Sequence, residues 1–197
     1  FLSSFFAVTC SNDQMLRMKA SELAQKFIIT DGHIDTPWKL SKNYEDISLR
    51  TKTGDFDYVR AKEGGLDVPF MAIYIPSSYI ETGGAKEKAD SLIDMVEQIA
   101  NKDPDKFEIA YSLEDANRIF KEGKIALPMG MENGAGIEND INNLKHFYDR
   151  GIRYITLTHS KDNLICDSSY DEEEDTWGGL SPYGKKVVKE MNRLGMM

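Results

Sequence analysis

The sequence is poor in cysteine: Cys10 and Cys166 are the only two among 197 residues. A pair so far apart cannot supply the disulfide framework on which small secreted domains depend, so we expect a buried hydrophobic core instead. The chain also lacks any Lys or Arg cluster that stands clear of neighbouring acids, and its formal net charge is -9. This charge balance excludes a nucleic-acid partner.

Long apolar runs are also missing. The N-terminal run FLSSFFAVTC covers only residues 1–10, far fewer than the roughly 20 residues that a membrane-spanning helix needs. Followed by polar SNDQ, it resembles the end of a secretory signal that meets the lipidated cysteine of a bacterial lipoprotein. We therefore expect residues 1–14 to be a signal or lipoprotein segment and tether, with Cys10 lipidated. A trimmed or disordered N-terminus with a chance cysteine is the alternative.

The rest of the chain contains no internal repeat and no low-complexity tract, so residues 15–197 are predicted to be one domain or part of one. Short apolar runs predict buried parallel strands, which cover residues 27–31, 68–75, 125–132 and 152–159. Helical spacing and capping residues predict the helices between them, over residues 86–101, 112–123, 141–150 and 181–195. Strands alternating with helices indicate an α/β fold with a parallel sheet, either a barrel or an open sheet.

Polar side chains lie at the ends of three of the predicted strands. His33 and Asp35 come after the first strand, Glu132 ends the third and His159 ends the fourth. The carboxyl ends of the strands form the active-site rim of a (β/α)8 barrel, so polar residues that recur there favour a barrel and indicate catalysis.

The residue types at this rim suit metal-dependent hydrolysis. His33 and Asp35 are two apart in an extended segment, which directs both side chains to one side as two ligands of one cation require. Glu132 precedes the glycine-rich turn 133–136, and its carboxylate can bridge two divalent ions that share a hydroxide nucleophile. His159 is placed to donate a hydrogen bond to a developing oxyanion. The ordinary alternatives are a chance tripeptide, a solvated loop acid and a hydrogen-bonded strand-end histidine.

Other conspicuous residues receive plainer interpretations. His146 lies inside the polar helix pattern NNLKHFYDR, away from any strand end, and is assigned to packing or solvent. The acidic run at residues 171–175 lacks the ligand spacing of a calcium site and is interpreted as a solvated loop. Trp38 and Trp177 lie just beyond strand ends, where they either wall a pocket for a small apolar side chain or simply pack.

Five segments in order make the sequence similar to the membrane (renal) dipeptidases. They are DGHIDTPW at 31–38, GGLDVPFMAIYIP at 64–76, GMENGAG at 130–136, YITLTHSKDNLICDSS at 154–169 and GLSPYGKKVVKEMNRLGM at 179–196. Together they span most of the chain from about residue 20 onward. The resemblance implies a TIM-barrel metallopeptidase of the amidohydrolase kind that cleaves dipeptides, with two Zn²⁺ ions per complete site, and it implies a homodimer.

Carried over by residue, the resemblance makes His33 and Asp35 ligands of the first zinc and Glu132 the carboxylate that bridges both zincs. His159 resembles the substrate-binding and oxyanion-stabilising histidine, so Glu132 and His159 are the predicted catalytic residues. Asn133 and Ala135 depart from the Gly and His that relatives commonly have in this loop, which puts fine substrate preference in doubt.

The family continues after Arg-Leu-Gly-Met with Asp-Leu-Ser-His, whose His binds the second zinc, and this sequence stops at Met197. We therefore expect residues 15–197 to be the N-terminal half of a (β/α)8 barrel, truncated at the C-terminus and inactive alone. The complete protein would be a dipeptidase, exported and membrane-anchored through its lipid, facing the periplasm or the cell surface of a bacterium. The alternatives are a related amidohydrolase acting on another small amide and a non-catalytic surface lipoprotein with a degenerate barrel.

Overall fold

The computed structural model describes residues 12–171 and 174–197. Eight α-helices are found in these ranges: α1 Asn12–Lys26, α2 Thr36–Lys42, α3 Tyr58–Gly64, α4 Tyr79–Thr82, α5 Ala85–Lys102, α6 Leu113–Lys121, α7 Asn142–Asp149 and α8 Pro182–Leu194. Six strands alternate with them: β1 Thr30–Ile34, β2 Val68–Tyr74, β3 Phe107–Ile109, β4 Ile125–Leu127, β5 Met129–Glu132 and β6 Ile152–Thr156. A short 3₁₀ helix, Gly134–Ile137, follows β5.

The main sheet has four parallel strands in the order β1-β2-β5-β6. This order follows the chain without the reversal that marks a doubly wound sheet, as in a barrel. In register, Tyr74 at the end of β2 pairs with Glu132 at the end of β5, and Glu132 pairs with Thr156 at the end of β6. The prediction of parallel strands alternating with helices is confirmed, and the carboxyl ends of β2, β5 and β6 lie level with one another.

Three predicted strand boundaries were wrong. The first strand begins later than residue 27 because Phe27 still continues the last turn of α1, where its N–H donates to the Leu23 carbonyl. It runs to Ile34, so His33 lies inside it and not after it, and its residues are mostly exposed, not buried as predicted. The predicted strand 125–132 is divided at Pro128, which has no N–H to donate to a ladder. Its first part, β4, pairs with β3, whereas its second part pairs with β2 and β6. The last strand ends at Thr156, not at residue 159.

The predicted helices are present with their caps. On α5, Ala89, Leu92, Ile93 and Val96 are fully buried, as their helical spacing indicated. Ser112 Oγ accepts from the N–H of Asp115 at the start of α6. At α8 the side chain of Ser181 accepts from the Gly184 N–H, and Gly195 adopts a φ of 75° just beyond the last residue. Helices α1 to α4 were not predicted.

The main sheet has two unlike faces. Alternate residues of β2 and β5, such as Met71, Ile73, Met129 and Met131, are fully buried in the core against the helices. The other face carries the rings of Phe70 and Tyr154, 5.5 Å apart between centroids, and ends in the polar residues at the strand ends. The polar residues therefore lie at the carboxyl ends of the strands, and the hydrophobic core packs on the opposite face of the sheet.

The predicted lipidation site, Cys10, lies outside the described residues. Residues 12–14 of the predicted tether form the first turn of α1. None of the helices that the structure describes combines the length and the apolar character needed to cross a bilayer.

Candidate metal centre

Three predicted ligands converge at the carboxyl end of the sheet. The His33 Nε2 atom lies 3.2 Å from an oxygen of Glu132 and 3.5 Å from an oxygen of Asp35. One ligand atom from each of these residues lies within 4.8 Å of the other two. A nitrogen and two carboxylate oxygens at these separations can all reach one divalent cation.

The chain brings the three residues together from different elements. His33 lies within β1, Asp35 directly precedes α2, and Glu132 is the last residue of β5. The prediction that Asp35 lies in an extended segment was wrong, because its φ and ψ are -79° and 19°. Its carboxylate still reaches the imidazole of His33 because the chain turns into α2 at this point.

A hydrogen bond from a distant strand fixes the orientation of His33. Its Nδ1 atom and the hydroxyl oxygen of Tyr154 on β6 are 2.8 Å apart. Burial, with smaller contributions from the charges of Glu132 and Asp35, raises the pKa of Tyr154 to about 12, so the phenol is neutral near pH 7. A histidine that binds metal through Nε2 carries its proton on Nδ1 and donates it to such a partner, which fixes both the tautomer and the ring.

The Tyr154 ring reaches His33 only because residue 130 has no side chain. A Cβ atom placed on Gly130 would lie 2.0 Å from Cζ of Tyr154. The two residues are paired in the register of β5 and β6. Gly130 therefore leaves the space through which the phenol crosses the sheet face.

Replacing Tyr154 with Phe is expected to lower the affinity of the centre for an added divalent cation, such as Zn²⁺, by about 10- to 100-fold, the effect of losing an outer-shell partner of a ligand histidine. Competition with a coloured chelator on the purified protein measures this change. Tyr148→Phe is the matched control, because that ring lies under the guanidinium of Arg153, 4.2 Å from its centroid, and outside the centre. Equal affinities in the wild type and Tyr154→Phe would show that the phenol does not orient His33.

His159 lies beside the three converging residues. The prediction that it ends a strand was wrong. It is three residues beyond β6, in a loop held by the Ser168 hydroxyl, which donates to the His159 carbonyl oxygen at 2.6 Å. Its Nε2 atom is 3.4 Å from Glu132, and its ring packs edge-on against Tyr74 at 5.0 Å. Its Nδ1 atom is buried without a hydrogen-bond partner among the described residues, an uncommon state for a buried polar atom.

The two oxygens of Glu132 face different neighbours. Oε2 lies toward His33, and Oε1 lies toward His159. Only 17% of the side chain is exposed. This carboxylate occupies the middle of the cluster, with one oxygen directed to each side.

Comparison with known proteins places this geometry in a family. The sequence profile of the membrane dipeptidases, peptidase family M19, matches residues 17–197. The chain belongs to the membrane dipeptidase family.

The chain is also similar to individual dipeptidases. It is 34% identical over 194 residues to an uncharacterized dipeptidase of Schizosaccharomyces pombe, covering 91% of this chain and 47% of that protein. It is 31% identical over 194 residues to dipeptidase 3 of Mus musculus, covering 94% and 38%. The chain thus spans less than half the length of these relatives.

A solved structure supports the same assignment. The crystal structure of the probable dipeptidase PvdM from Pseudomonas aeruginosa superposes with a TM-score of 0.82 at 27% identity, covering 93% of this chain and 49% of that one. The α/β fold of the membrane dipeptidase family, and with it the TIM-barrel-like arrangement predicted from the sequence, is therefore present here as a partial domain.

Sequence reasoning missed Asn133, which holds the loops of this family member around the centre. Asn133 is fully buried at a φ of 78°, a conformation that normally favours glycine. Its Nδ2 donates to the Ile75 carbonyl, and its Oδ1 accepts from the N–H of Ala135 and from Nδ2 of Asn163. The motif showed a Gly-to-Asn departure, but only the buried hydrogen bonds show that the amide joins three loops.

The remaining candidates lie outside the cluster. His146 Nε2 is 2.7 Å from Asp90, in a network of charged side chains between α5 and α7, which agrees with a packing role. The Trp177 indole N–H donates to the Asn163 carbonyl. Trp38 packs against the ring of Tyr74 at 5.2 Å, and Tyr74 in turn contacts His159.

Proposed function

We propose that the gene product containing this sequence is a zinc-dependent dipeptidase that hydrolyses the peptide bond of free dipeptides. The observation that carries the proposal is the convergence of His33, Asp35 and Glu132 in a chain of the membrane dipeptidase family. The substrate class is supported by the dipeptidases to which the chain is similar.

The donor set suits zinc. One imidazole nitrogen and carboxylate oxygens are common ligands of catalytic zinc, and an imidazole hydrogen-bonded through its other nitrogen is the usual outer-shell arrangement. His33, Asp35 and Glu132 would hold the first ion, and Glu132 would also contribute to holding a second ion. When bound, zinc activates water as a nucleophile and polarises the scissile carbonyl.

The other residues of the site bind and orient the substrate. We infer that His159 donates a hydrogen bond from Nε2 to the carbonyl oxygen of the scissile bond, which becomes negatively charged as water attacks. Tyr74 packs on the imidazole and restricts its orientation. A phosphinate mimic of the dipeptide L-Ala-D-Ala is bound in a solved metallo peptidase of Rhodobacter sphaeroides that shares this fold.

Hydrolysis of Ala-Ala by the purified gene product tests this function. We expect release of free alanine from Ala-Ala but not from Ala-Ala-Ala or N-acetyl-alanine. A chelator should abolish the activity, and added zinc should restore it. Cleavage of N-acetyl-alanine instead would identify an amidohydrolase of another specificity, and no cleavage of any substrate with zinc present would contradict catalysis.

We further propose that the protein is exported and anchored through a lipid on Cys10, and that it forms a homodimer. The apolar run before Cys10 supports the anchor, and the family supports the dimer. Metabolic labelling with an alkyne fatty acid should mark the wild type but not Cys10→Ser. Light scattering of the detergent-solubilised protein measures the dimer.

A further inference from the structure

Two lysines from different helices lie over one aromatic ring beside the metal centre. The ammonium nitrogen of Lys42, one turn after Trp38 on α2, is 4.1 Å from the centroid of the Trp38 ring. That of Lys88, on α5, is 5.3 Å from the same centroid. The face of an indole attracts a cation, so the ring holds both side chains at one place.

The charges of this pair are not neutralised by the protein. Among the described residues, neither Lys42 nor Lys88 forms an ion pair, whereas Lys39 and Lys86 on the same two helices pair with Asp55 and Asp90. Burial lowers the pKa of Lys88, and the charge of Lys42 lowers it further. Two like charges held close together favour an anion between them. Such a positive site is unexpected in a chain whose net charge is -9.

The lysine pair lines a cleft that shares the ring of Tyr74 with the site. The cleft has a volume of about 520 Å³, and Trp38, Tyr74 and both lysines contribute to its wall. Tyr74 contacts the ring of Trp38 on one side at 5.2 Å and the ring of His159 on the other at 5.0 Å. The rings of Tyr74 and Trp38 therefore lie between a substrate held at His159 and the lysine pair.

We propose that Lys42 and Lys88 form an anion subsite that selects dipeptides with an acidic side chain, glutamate or aspartate. This inference rests on the proposed dipeptidase function. The α-carboxylate of a dipeptide lies about 4 Å along the chain from the scissile bond, so it reaches less far from that bond than the side-chain carboxylate of a glutamate can. A glutamate side chain extends its carboxylate about 5 Å from its own Cα and points away from that bond.

Isosteric substrate pairs isolate the charge. Ala-Glu is compared with Ala-Gln, and Glu-Ala with Gln-Ala, so that each pair differs only in the negative charge. In one of the two pairs we expect kcat/KM to be about tenfold higher for the acidic dipeptide, the effect of one charge-assisted hydrogen bond. The pair that responds shows which residue of the dipeptide faces the lysines.

The variant Lys42→Met with Lys88→Met keeps the apolar stems that pack on Trp38 and removes both charges. We expect the acidic preference to fall to about one, and to be retained in Lys42→Arg with Lys88→Arg. Lys121→Met, an exposed lysine on α6 outside this cleft, is the matched control and should keep the wild-type ratio. A wild-type ratio near one in both pairs, or a ratio that survives the double Met substitution, would overturn the subsite.

Measuring the equilibrium binding of dipeptides distinguishes a failure of the anion subsite from a failure of the dipeptidase function. Quenching of tryptophan fluorescence by Ala-Glu and Ala-Gln, and by Glu-Ala and Gln-Ala, needs no turnover. If no dipeptide is hydrolysed, the dipeptidase function fails, and tighter binding of an acidic dipeptide that is lost in the double Met variant still supports the subsite. Hydrolysis of neutral dipeptides with no acidic preference retains the function and rejects the subsite.

Discussion

Glu132→Gln is expected to reduce dipeptide hydrolysis by at least about 10³-fold, more than the 10- to 100-fold typical of outer-shell partners. Glu132 is the residue that directs one oxygen toward His33 and the other toward His159. Glutamine has the same size but replaces one of these acceptors with an NH₂ donor and removes the negative charge. The variant should therefore lose bound zinc as well as activity.

The measurements are kcat/KM on Ala-Ala and zinc content by elemental analysis of the same sample. Glu138→Gln is the matched control, because Glu138 lies just after the 3₁₀ helix that follows Glu132 and its side chain accepts from the backbone N–H of Lys86 instead. Glu138→Gln should retain activity and zinc. Full zinc content in Glu132→Gln would contradict the assignment of this carboxylate as a ligand.

The sequence predicts the three converging ligands because their position has a simple physical basis. A charged side chain is costly to bury, so it lies where a buried strand ends, and parallel topology brings such ends to one edge. Glu132 follows this rule at the end of β5, whereas His33 lies inside β1, whose residues are mostly exposed, and Asp35 comes just after that strand. The rule does not give the length of a loop, which is why His159 was placed on a strand that ends three residues earlier.

Contacts that depend on strand register or on helix packing could not be predicted from the sequence in the same way. Tyr154 lies in an apolar run and has the pattern of a core residue, and its contact with His33 depends on the pairing of β6 with β5. The strand β3 is only three residues long, so it carries too little periodicity to detect from the sequence. Lys42 and Lys88 are far apart in sequence, and only the packing of α2 near α5 brings both to Trp38.

Gly130→Ala is expected to destabilise the protein by about 1–3 kcal/mol, as overpacking does, and to weaken zinc binding at least as much as Tyr154→Phe. The new Cβ would lie 2.0–2.4 Å from three carbon atoms of the Tyr154 ring. Either the ring leaves the sheet face and releases His33, or β5 and β6 separate. Thermal unfolding and chelator competition measure the two effects. Gly64→Ala, at a helical position where a Cβ meets nothing within 4 Å, should cost nothing.

A double substitution distinguishes the clash with Tyr154 from a general loss of sheet stability. In a Tyr154→Ala background the ring is absent, so adding Gly130→Ala should cost less than about 0.5 kcal/mol, the range in which uncoupled substitutions simply add. Zinc affinity should then be the same with Gly or Ala at position 130, since His33 has already lost its partner. A full cost of Gly130→Ala without the ring would instead mean that the glycine serves the strand itself and not the orientation of the metal ligand.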